Sequence, residues 1–233
     1  MRLAIISDIH ANLEALTAAM GVIGTERIDE ILCLGDTVGY GANPNECLEL
    51  VRARCSTILL GNHDMAAFDL AVADHFTHNA QVSARWTYEV ITDDNRAFLR
   101  GLAPSQRWGE LMLAHASPYD PEDWNYVISE FDARDAFRAF KEQICFIGHS
   151  HMPLIFSEQG RVSSIDNRGR YLINVGSVGQ PRDRNPQLSF GLFDTEAWTY
   201  RNVRAEYDVV SAARKIREAG LPAELAGRLS LGL

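Results

Sequence analysis

Five short segments of the sequence place metal-binding side chains directly after apolar runs. Their donors are carboxylates, imidazoles and one amide, without a thiolate, and this set suits hard or borderline divalent cations. The segments are Asp8-Ile9-His10, Gly35-Asp36, Gly61-Asn62-His63-Asp64, Ala114-His115 and Gly148-His149-Ser150-His151. Two Asp, four His and one Asn are enough ligands for two cations when one carboxylate is shared, and a pair of cations suggests phosphoester hydrolysis.

Each segment follows a run that predicts a buried β-strand, because the runs are short, apolar and partly β-branched. Ligands of open α/β sheets lie outside the carboxyl ends of the strands, so these strand ends are expected to meet in one crevice. The predicted strands are Leu3 to Ile6, Ile31 to Leu34, Thr57 to Leu60, Leu111 to Leu113 and Ile144 to Ile147.

Helical periodicity fills the stretches between these strands. The first predicted helix follows Asn12, which caps it, and the second begins at Asn43-Pro44. A helical stretch spans about His78 to Leu102 and restarts as a second helix at Asp93 or Asp94. A further helix follows Asp132 as its cap. After Pro153 the pattern changes to short strands with hairpin-style turns. These strands are Leu154 to Phe156, Val162 to Ile165, Tyr171 to Val175, Ser189 to Asp194 and Thr199 to Tyr207, separated by Gln159-Gly160, Asn167-Arg168-Gly169 and Thr195-Glu196.

The two halves together predict one α/β domain over residues 1–233. A four-layer αββα sandwich, with two mixed β-sheets face to face and helices outside, satisfies both patterns. Residues 208–233 are expected to form two short helices packed on this domain. Their apolar residues Leu221, Leu225 and Leu229 either cover the sheet edges or form a contact in a homo-oligomer.

Composition and charge exclude several classes of protein. The chain has 46% hydrophobic and 23% charged residues, which is ordinary for a globular protein, and its net charge of −9 argues against tight nonspecific binding of nucleic acid. Its four cysteines form no CxxC pair, so a zinc site or a disulfide framework is not expected and a reducing cytoplasm fits best. No apolar stretch approaches the roughly 20 residues that span a membrane, and the N-terminus does not resemble a signal peptide.

The order DxH, GD, GNHD, AH, GHxH from residue 8 to residue 151 resembles that of the calcineurin-like metallophosphoesterases. The later segment Asn174-Val175-Gly176-Ser177-Val178-Gly179 also resembles part of the second sheet of that family. The compact bacterial single-domain phosphodiesterases are the branch that the chain resembles. The resemblance implies the αββα fold, two divalent cations and a small phosphoester substrate.

The resemblance also implies a role for each residue of the motifs. The implied ligands are Asp8, His10 and His151 for the first cation, Asn62, His115 and His149 for the second, and Asp36 as the bridge between them. A hydroxide shared by the cations would attack phosphorus in line. His63 would be the general acid that protonates the leaving oxygen, and Asp64 is the nearest candidate to orient it. Manganese is the expected metal, with iron, zinc, cobalt and nickel as alternatives.

One part of the sequence departs from the protein-phosphatase branch of this family. In that branch the GD motif continues to a second Asp and an Arg, whereas here it continues Thr37-Val38-Gly39-Tyr40-Gly41. A phosphoserine protein substrate is therefore not expected, and a small or nucleotide-like phosphodiester is. Arg182 is a candidate to contact the phosphate in place of the missing arginine, and Tyr40 is a second candidate for substrate contact.

Three alternatives remain open from the sequence. A phosphomonoesterase or nucleotide phosphatase would use the same ligands, and a non-catalytic scaffold could keep the fold without hydrolysis. A DNA nuclease is a further alternative, although the net negative charge of the chain argues against it.

The aromatic loop from Ser117 to Tyr126 either packs onto the sheet or stacks on a substrate ring. His75 and His78 are expected at the surface.

Overall fold

Two mixed β-sheets lie face to face in the computed structural model, which covers residues 1–233. The strands are β1 (Arg2–Ile6), β2 (Glu30–Cys33), β3 (Thr57–Ile58), β4 (Ser105–Trp108), β5 (Leu111–Ala114), β6 (Ile144–Ile147), β7 (Leu154–Ser157), β8 (Gly160–Val162), β9 (Tyr171–Asn174), β10 (Leu188–Asp194) and β11 (Thr199–Ala205). The helices are α1 (Leu13–Thr25), α2 (Pro44–Arg54), α3 (Asn62–Ala66), α4 (His78–Val90), α5 (Asp93–Leu99), α6 (Glu130–Ala136), α7 (Val209–Glu218) and α8 (Ala223–Leu229), with short 3₁₀ helices at Leu70–His75 and Pro121–Asp123.

The strands that precede the metal-binding segments run parallel within each sheet. One sheet has the order β11-β10-β1-β2-β3, in which β1, β2 and β3 are parallel, and the other has the order β4-β5-β6-β9-β7-β8, in which β5, β6 and β9 are parallel. Parallel neighbours end at the same edge of a sheet, so the loops after β1, β2 and β3 meet there, as do those after β5 and β6. The predicted crevice lies at these ends.

The hydrophobic core between the sheets is built from alternate residues of the strands. Leu3 and Ile5 of β1 share one buried cluster with Leu113 of β5 and Phe146 of β6. The intervening residues of β1 point to the opposite face and pack with helices α1 and α2, while a third cluster joins α6 to the second sheet. This period-two alternation places helices on both outer faces, which confirms the predicted αββα sandwich.

Local capping defines where several helices begin. The side chain of Asn12 accepts a hydrogen bond from the Ala15 amide at 3.1 Å and caps α1, as predicted. The break before α5 is also confirmed, with Thr92 as its cap. The prediction that Asp132 caps a helix is wrong, because α6 begins after Ser129 and Asp132 completes a capping box with it.

The hairpin predictions are confirmed at two turns and wrong at the third. β7 pairs with β8, and β10 pairs with β11, both antiparallel. The segment Asn167-Arg168-Gly169 does not join a hairpin, because β9 pairs with β6 and β7 and not with β8. A local side-chain turn accounts for that segment instead, since the Asp166 carboxylate accepts hydrogen bonds from the amides of Arg168 and Gly169 and from the Tyr171 hydroxyl. Strand β4 was not predicted, and β3 is shorter than its apolar run.

The two C-terminal helices pack against the body of the chain. Leu221, Leu225 and Leu229 are between 0% and 5% exposed and form a cluster with Tyr40 of the loop after β2. These three side chains are therefore buried within the chain and are not free to form a contact between copies. No helix of the chain is both long and apolar enough to cross a membrane.

We expect Leu225→Ala to lower the free energy of unfolding by about 2–5 kcal/mol, because it leaves a cavity beside Tyr40. Leu231→Ala is the matched control, since Leu231 is 58% exposed and its truncation should change stability by about 0.5 kcal/mol or less. Urea denaturation followed by circular dichroism measures both. Equal stability of the two variants would contradict the docking of the tail.

Candidate metal centre

The seven predicted ligands converge at the carboxyl ends of the parallel strands. Each of these side chains is at most 6% exposed. The seven residues are Asp8, His10, Asp36, Asn62, His115, His149 and His151. Asp8 and His10 follow β1, Asp36 follows β2, and Asn62 opens α3 after β3. The remaining ligands follow β5 and β6 of the other sheet, so the candidate site lies at the seam between the two sheets.

A left-handed backbone turns most of these side chains inward. The φ angles of Asp8, His10, Asp36, His149 and His151 lie between 51° and 65°. In a regular strand a non-glycine residue avoids this region, because its Cβ crowds the backbone. Strain of this kind persists only where the surroundings impose it, and it is concentrated here at the candidate ligands.

One group of donors contains Asp8, His10 and His151. Oδ1 of Asp8 lies 3.3 Å from Nε2 of His151 and 3.9 Å from Nε2 of His10. The two Nε2 atoms are 3.0 Å apart. The other carboxylate oxygen of Asp8 accepts a hydrogen bond from the amide of His149 at 2.9 Å, which ties the loop after β6 to the loop after β1.

A second group contains Asp36, His115 and His149, and Asp36 joins it to the first. Oδ2 of Asp36 lies 3.4 Å from Nε2 of His115 and 3.7 Å from Nε2 of His10. Its Oδ1 accepts a hydrogen bond from the amide of His63 at 2.8 Å. One carboxylate oxygen therefore faces imidazoles from both groups.

Backbone carbonyl groups fix the orientation of three of the imidazoles. Nδ1 of His10, His115 and His151 donates to the carbonyl oxygens of Val38, Leu34 and Gln180, at 3.1, 2.9 and 2.5 Å. A carbonyl oxygen only accepts, so Nδ1 of each ring carries a proton and Nε2 faces the site. Burial lowers the pKa of His10 and of His151, so these two rings are neutral and present a lone pair there. This arrangement is the usual second layer around metal-bound histidines.

Several buried atoms of the candidate ligands have no hydrogen-bond partner in the protein. They are Oδ1 of Asp8, Oδ1 of Asn62, Nε2 of His115 and Nε2 of His149. A buried polar atom without a partner costs free energy, and facing lone pairs on His10 and His151 repel each other. Divalent cations bound by these atoms would remove both costs, so the residues present fit a metal centre.

Burial and mutual charge shift the pKa values of these groups. Burial lowers the pKa of His149 to about 3 and that of His63 to about 4. Burial opposes ionisation of Asp36, but His115 holds the pKa of its carboxyl well below the usual value. The His149 ring is therefore neutral at physiological pH, as a metal ligand must be, and Asp36 is ionised.

His63 lies beside the ligands, against aromatic rings. Its ring centroid is 4.4 Å from that of Tyr40 and 4.6 Å from that of Phe76. Its Nδ1 is buried without a partner, and a Cβ on Gly39 would lie 2.6 Å from that atom, so only glycine at φ 89° leaves room for the ring. Nδ1 thus faces the loop that holds Gly39, and Nε2 is the ring nitrogen that is not packed against that glycine.

Asp64 makes no hydrogen bond to the His63 ring, which is contrary to the prediction that it orients this imidazole. Its two oxygens accept hydrogen bonds from the amides of Val38 at 3.0 Å and Gly61 at 3.1 Å. Burial raises its pKa to about 7, and the nearby charge of Asp36 adds to the effect. Asp64 therefore clamps the loop after β2 to the loop after β3.

Arg182 and Tyr40 lie next to each other at the edge of the site. Nη2 of Arg182 donates to the Tyr40 hydroxyl at 3.3 Å and to Oε1 of Gln180 at 3.0 Å. Arg228 of α8 also donates to Oε1 of Gln180, at 3.4 Å. Gln180 and Arg228 were not predicted from the sequence, because no local pattern connects the C-terminal helix with the loop after β9.

The aromatic loop from Ser117 to Tyr126 borders the candidate ligands. The Tyr126 ring stacks on His149 with centroids 4.1 Å apart, and Trp124 meets His115 edge-on at 5.9 Å. Trp124, Tyr126, Asn62 and His149 all line one cleft of about 1080 Å³. The rings therefore cover ligands and also form part of a cleft wall.

Comparison with known proteins gives relatives along the whole chain. A protein of Methanocaldococcus jannaschii, the uncharacterized protein MJ0912, is 40% identical over 240 residues, covering 99% of this chain and 98% of that one. The crystal structure of a metallophosphoesterase from Sphaerobacter thermophilus superposes with a TM-score of 0.91 at 38% identity, covering 100% of this chain and 99% of the other. The hypothetical protein PH1004 from Pyrococcus horikoshii superposes with a TM-score of 0.84 at 21% identity, covering 100% and 98%, which supports the fold alone.

A match to a protein-family model assigns the chain to a family. The model of the calcineurin-like phosphoesterase superfamily domain matches residues 1–197, a span that contains every candidate ligand. The remaining residues include α7 and α8, which lie beyond the match. The chain therefore belongs to the calcineurin-like phosphoesterase superfamily, a family of phosphoester hydrolases.

Proposed function

We propose that the protein is a phosphodiesterase that binds two divalent cations and hydrolyses a small or nucleotide-like phosphodiester. The observation that carries this proposal is the position of Asp36, whose Oδ2 lies between His10 of one donor group and His115 of the other. Such a shared carboxylate suits a pair of cations roughly 3.5–4 Å apart. Family membership supports the wider reaction class.

The proposed roles of the residues are metal binding and proton transfer. Asp8, His10 and His151 would hold one cation, and Asn62, His115 and His149 the other, with Asp36 shared between them. Bound there, the cations would activate water and neutralise charge on the phosphoryl oxygens. We propose manganese as the metal, since the ligands are nitrogen and oxygen donors, with iron, zinc, cobalt and nickel as alternatives.

We propose His63 as the general acid. Its Nδ1 is buried against Gly39, so Nε2 is the atom that can pass a proton to the leaving oxygen. Burial lowers the pKa of this ring, and an anionic phosphate beside it would act in the opposite direction. Arg182 would bind a phosphate oxygen, because its Nε is a buried donor without a partner.

The alternatives differ in what they require of the site. A phosphomonoesterase would use the same ligands, so a panel of monoesters and diesters with each metal in turn separates the two. A scaffold without activity has no need of a complete ligand set, whereas here all the candidate ligands are buried and converge. These residues therefore support a phosphoester hydrolase, and we propose the diesterase because the second Asp and the Arg of the protein-phosphatase branch are absent after Asp36.

Asp36→Asn tests the shared carboxylate. The amide oxygen can still accept the hydrogen bond from the His63 amide, but the neutral side chain attracts cations less. We expect fewer cations per chain by elemental analysis after reconstitution and loss of most turnover of bis(p-nitrophenyl) phosphate. Asp74→Asn, at an exposed position, should behave as the wild type. Full activity of Asp36→Asn would remove the bridge from the mechanism.

His63→Asn separates chemistry from metal binding. We expect the cation content to stay unchanged while hydrolysis slows by about 10²-fold or more, the usual contribution of a general acid. The decrease in rate should be smaller for a dinitrophenyl ester than for an ester with a more basic leaving group, because dinitrophenolate departs without protonation. His78→Asn, at an exposed position, is the control. The same loss with both leaving groups would contradict the assignment of His63.

Arg182→Ala tests the phosphate contact. We expect KM to rise about tenfold or more, because a hydrogen bond to a charged group contributes about 1.5–3 kcal/mol. Steady-state kinetics on a p-nitrophenyl diester measure the effect, and Arg217→Ala, at an exposed position of α7, is the matched control. An unchanged KM would show that Arg182 only supports Tyr40.

A further inference from the structure

The cleft beside the candidate metal centre has an apolar wall. Its volume is about 1080 Å³, and Asn62 and His149, which are candidate ligands, form one end of it. Much of the remaining wall is hydrophobic, with Leu60, Phe76 and Leu102 among its residues. Because two candidate ligands belong to the wall, a group esterified to a phosphate at the candidate metal centre can reach this cleft.

Aromatic rings border the centre along this cleft. The Tyr126 ring covers His149 with one face, at an angle of 26°, and it is still 51% exposed. One face of the ring is therefore accessible to a ligand. Trp124 lines the cleft next to it, and Phe76 lines it beside His63. Stacked and edge-on aromatic contacts each contribute about 0.5–1.5 kcal/mol beyond the burial of their area.

The charges of the cleft wall are negative. Glu122 and Asp123 lie in the wall, and it contains no Lys or Arg. Arg182 and Arg228, the cationic groups near the site, lie outside this wall, beside Tyr40 and Gln180. A second phosphate group in the cleft would face carboxylates without a counter-charge, so a polyphosphate chain does not suit it.

We propose that the cleft binds a planar, uncharged aromatic ring carried by a group that is esterified to the single phosphate of the substrate. The ring stacks on the open face of Tyr126 while the phosphate lies at the metal centre near Arg182. This inference rests on the proposed phosphodiesterase function and narrows it to aryl or nucleoside monophosphate diesters. Water adds to phosphorus, the bond from phosphorus to the other ester oxygen breaks, and that oxygen leaves with a proton. The ring-bearing group stays esterified to the phosphate of the monoester product.

A matched set of diesters tests the inference. Methyl, phenyl and p-carboxyphenyl esters of p-nitrophenyl phosphate share one leaving group and differ only in the retained group. With the manganese-loaded protein, and after correction for uncatalysed hydrolysis, we expect kcat/KM for the phenyl ester to exceed that for the methyl ester by about tenfold. The carboxylate ester should fall below the phenyl ester, because its charge faces Glu122 and Asp123.

Tyr126→Ala should lower kcat/KM for the phenyl ester about tenfold more than for the methyl ester, so that the preference for phenyl is lost. Phe131→Ala is the control, since Phe131 is 69% exposed and lies outside the cleft wall, and it should keep the preference. Calorimetric titration gives a readout without turnover. Phenylphosphonate should bind about tenfold more tightly than methylphosphonate to the wild type and to Phe131→Ala, and equally to Tyr126→Ala.

The failures of the two proposals differ. Equal kcat/KM for the methyl and phenyl esters in the wild type would overturn the ring site and leave the phosphodiesterase intact. An equal loss on both esters in Tyr126→Ala would also overturn it, because the ring would then only support His149. Absence of hydrolysis of every diester by metal-loaded protein would overturn the proposed function and this inference with it.

Discussion

Buried nitrogen and oxygen atoms that face one another without hydrogen-bond partners are the constraint on which the rest of this structure depends. Nε2 of His10 and of His151 approach within 3.0 Å, and Oδ1 of Asp8 has no donor. In a protein interior such an arrangement is unfavourable by itself, and the left-handed backbone at the same residues adds strain. Bound cations would offset both the cost of the unpartnered buried atoms and the backbone strain, so folding and metal binding are expected to be coupled.

The distance between the ligands is determined by the packing of two sheets. Asp8 and Asp36 belong to one sheet, and His115 and His149 to the other. The shared core between the sheets sets the spacing, and hydrogen bonds such as that from His115 Nδ1 to the Leu34 carbonyl adjust the final orientation. Close-packed interiors relax little, so substitutions in this core should alter the site at a distance.

The surroundings of the candidate metal centre differ on its two sides. Beside Tyr40, the guanidinium groups of Arg182 and Arg228 meet at Gln180, and the C-terminal helices hold this arrangement in place. Around His149 the wall is aromatic and carries only negative charge. A substrate with its phosphate toward the first side and an apolar group toward the second matches both.

The sequence by itself determined the candidate ligand set and the layered fold, because ligand types placed directly after apolar runs are a local pattern. His10 and His151 could be assigned to one crevice in this way, and period-two strands imply two faces to cover. The partner of Asp64, the route of the chain after β8 and the role of Arg228 were decided only by the tertiary structure. Each of these depends on which distant backbone amide, strand edge or side chain is within hydrogen-bonding distance, and this proximity exists only after the sheets and helices have packed together.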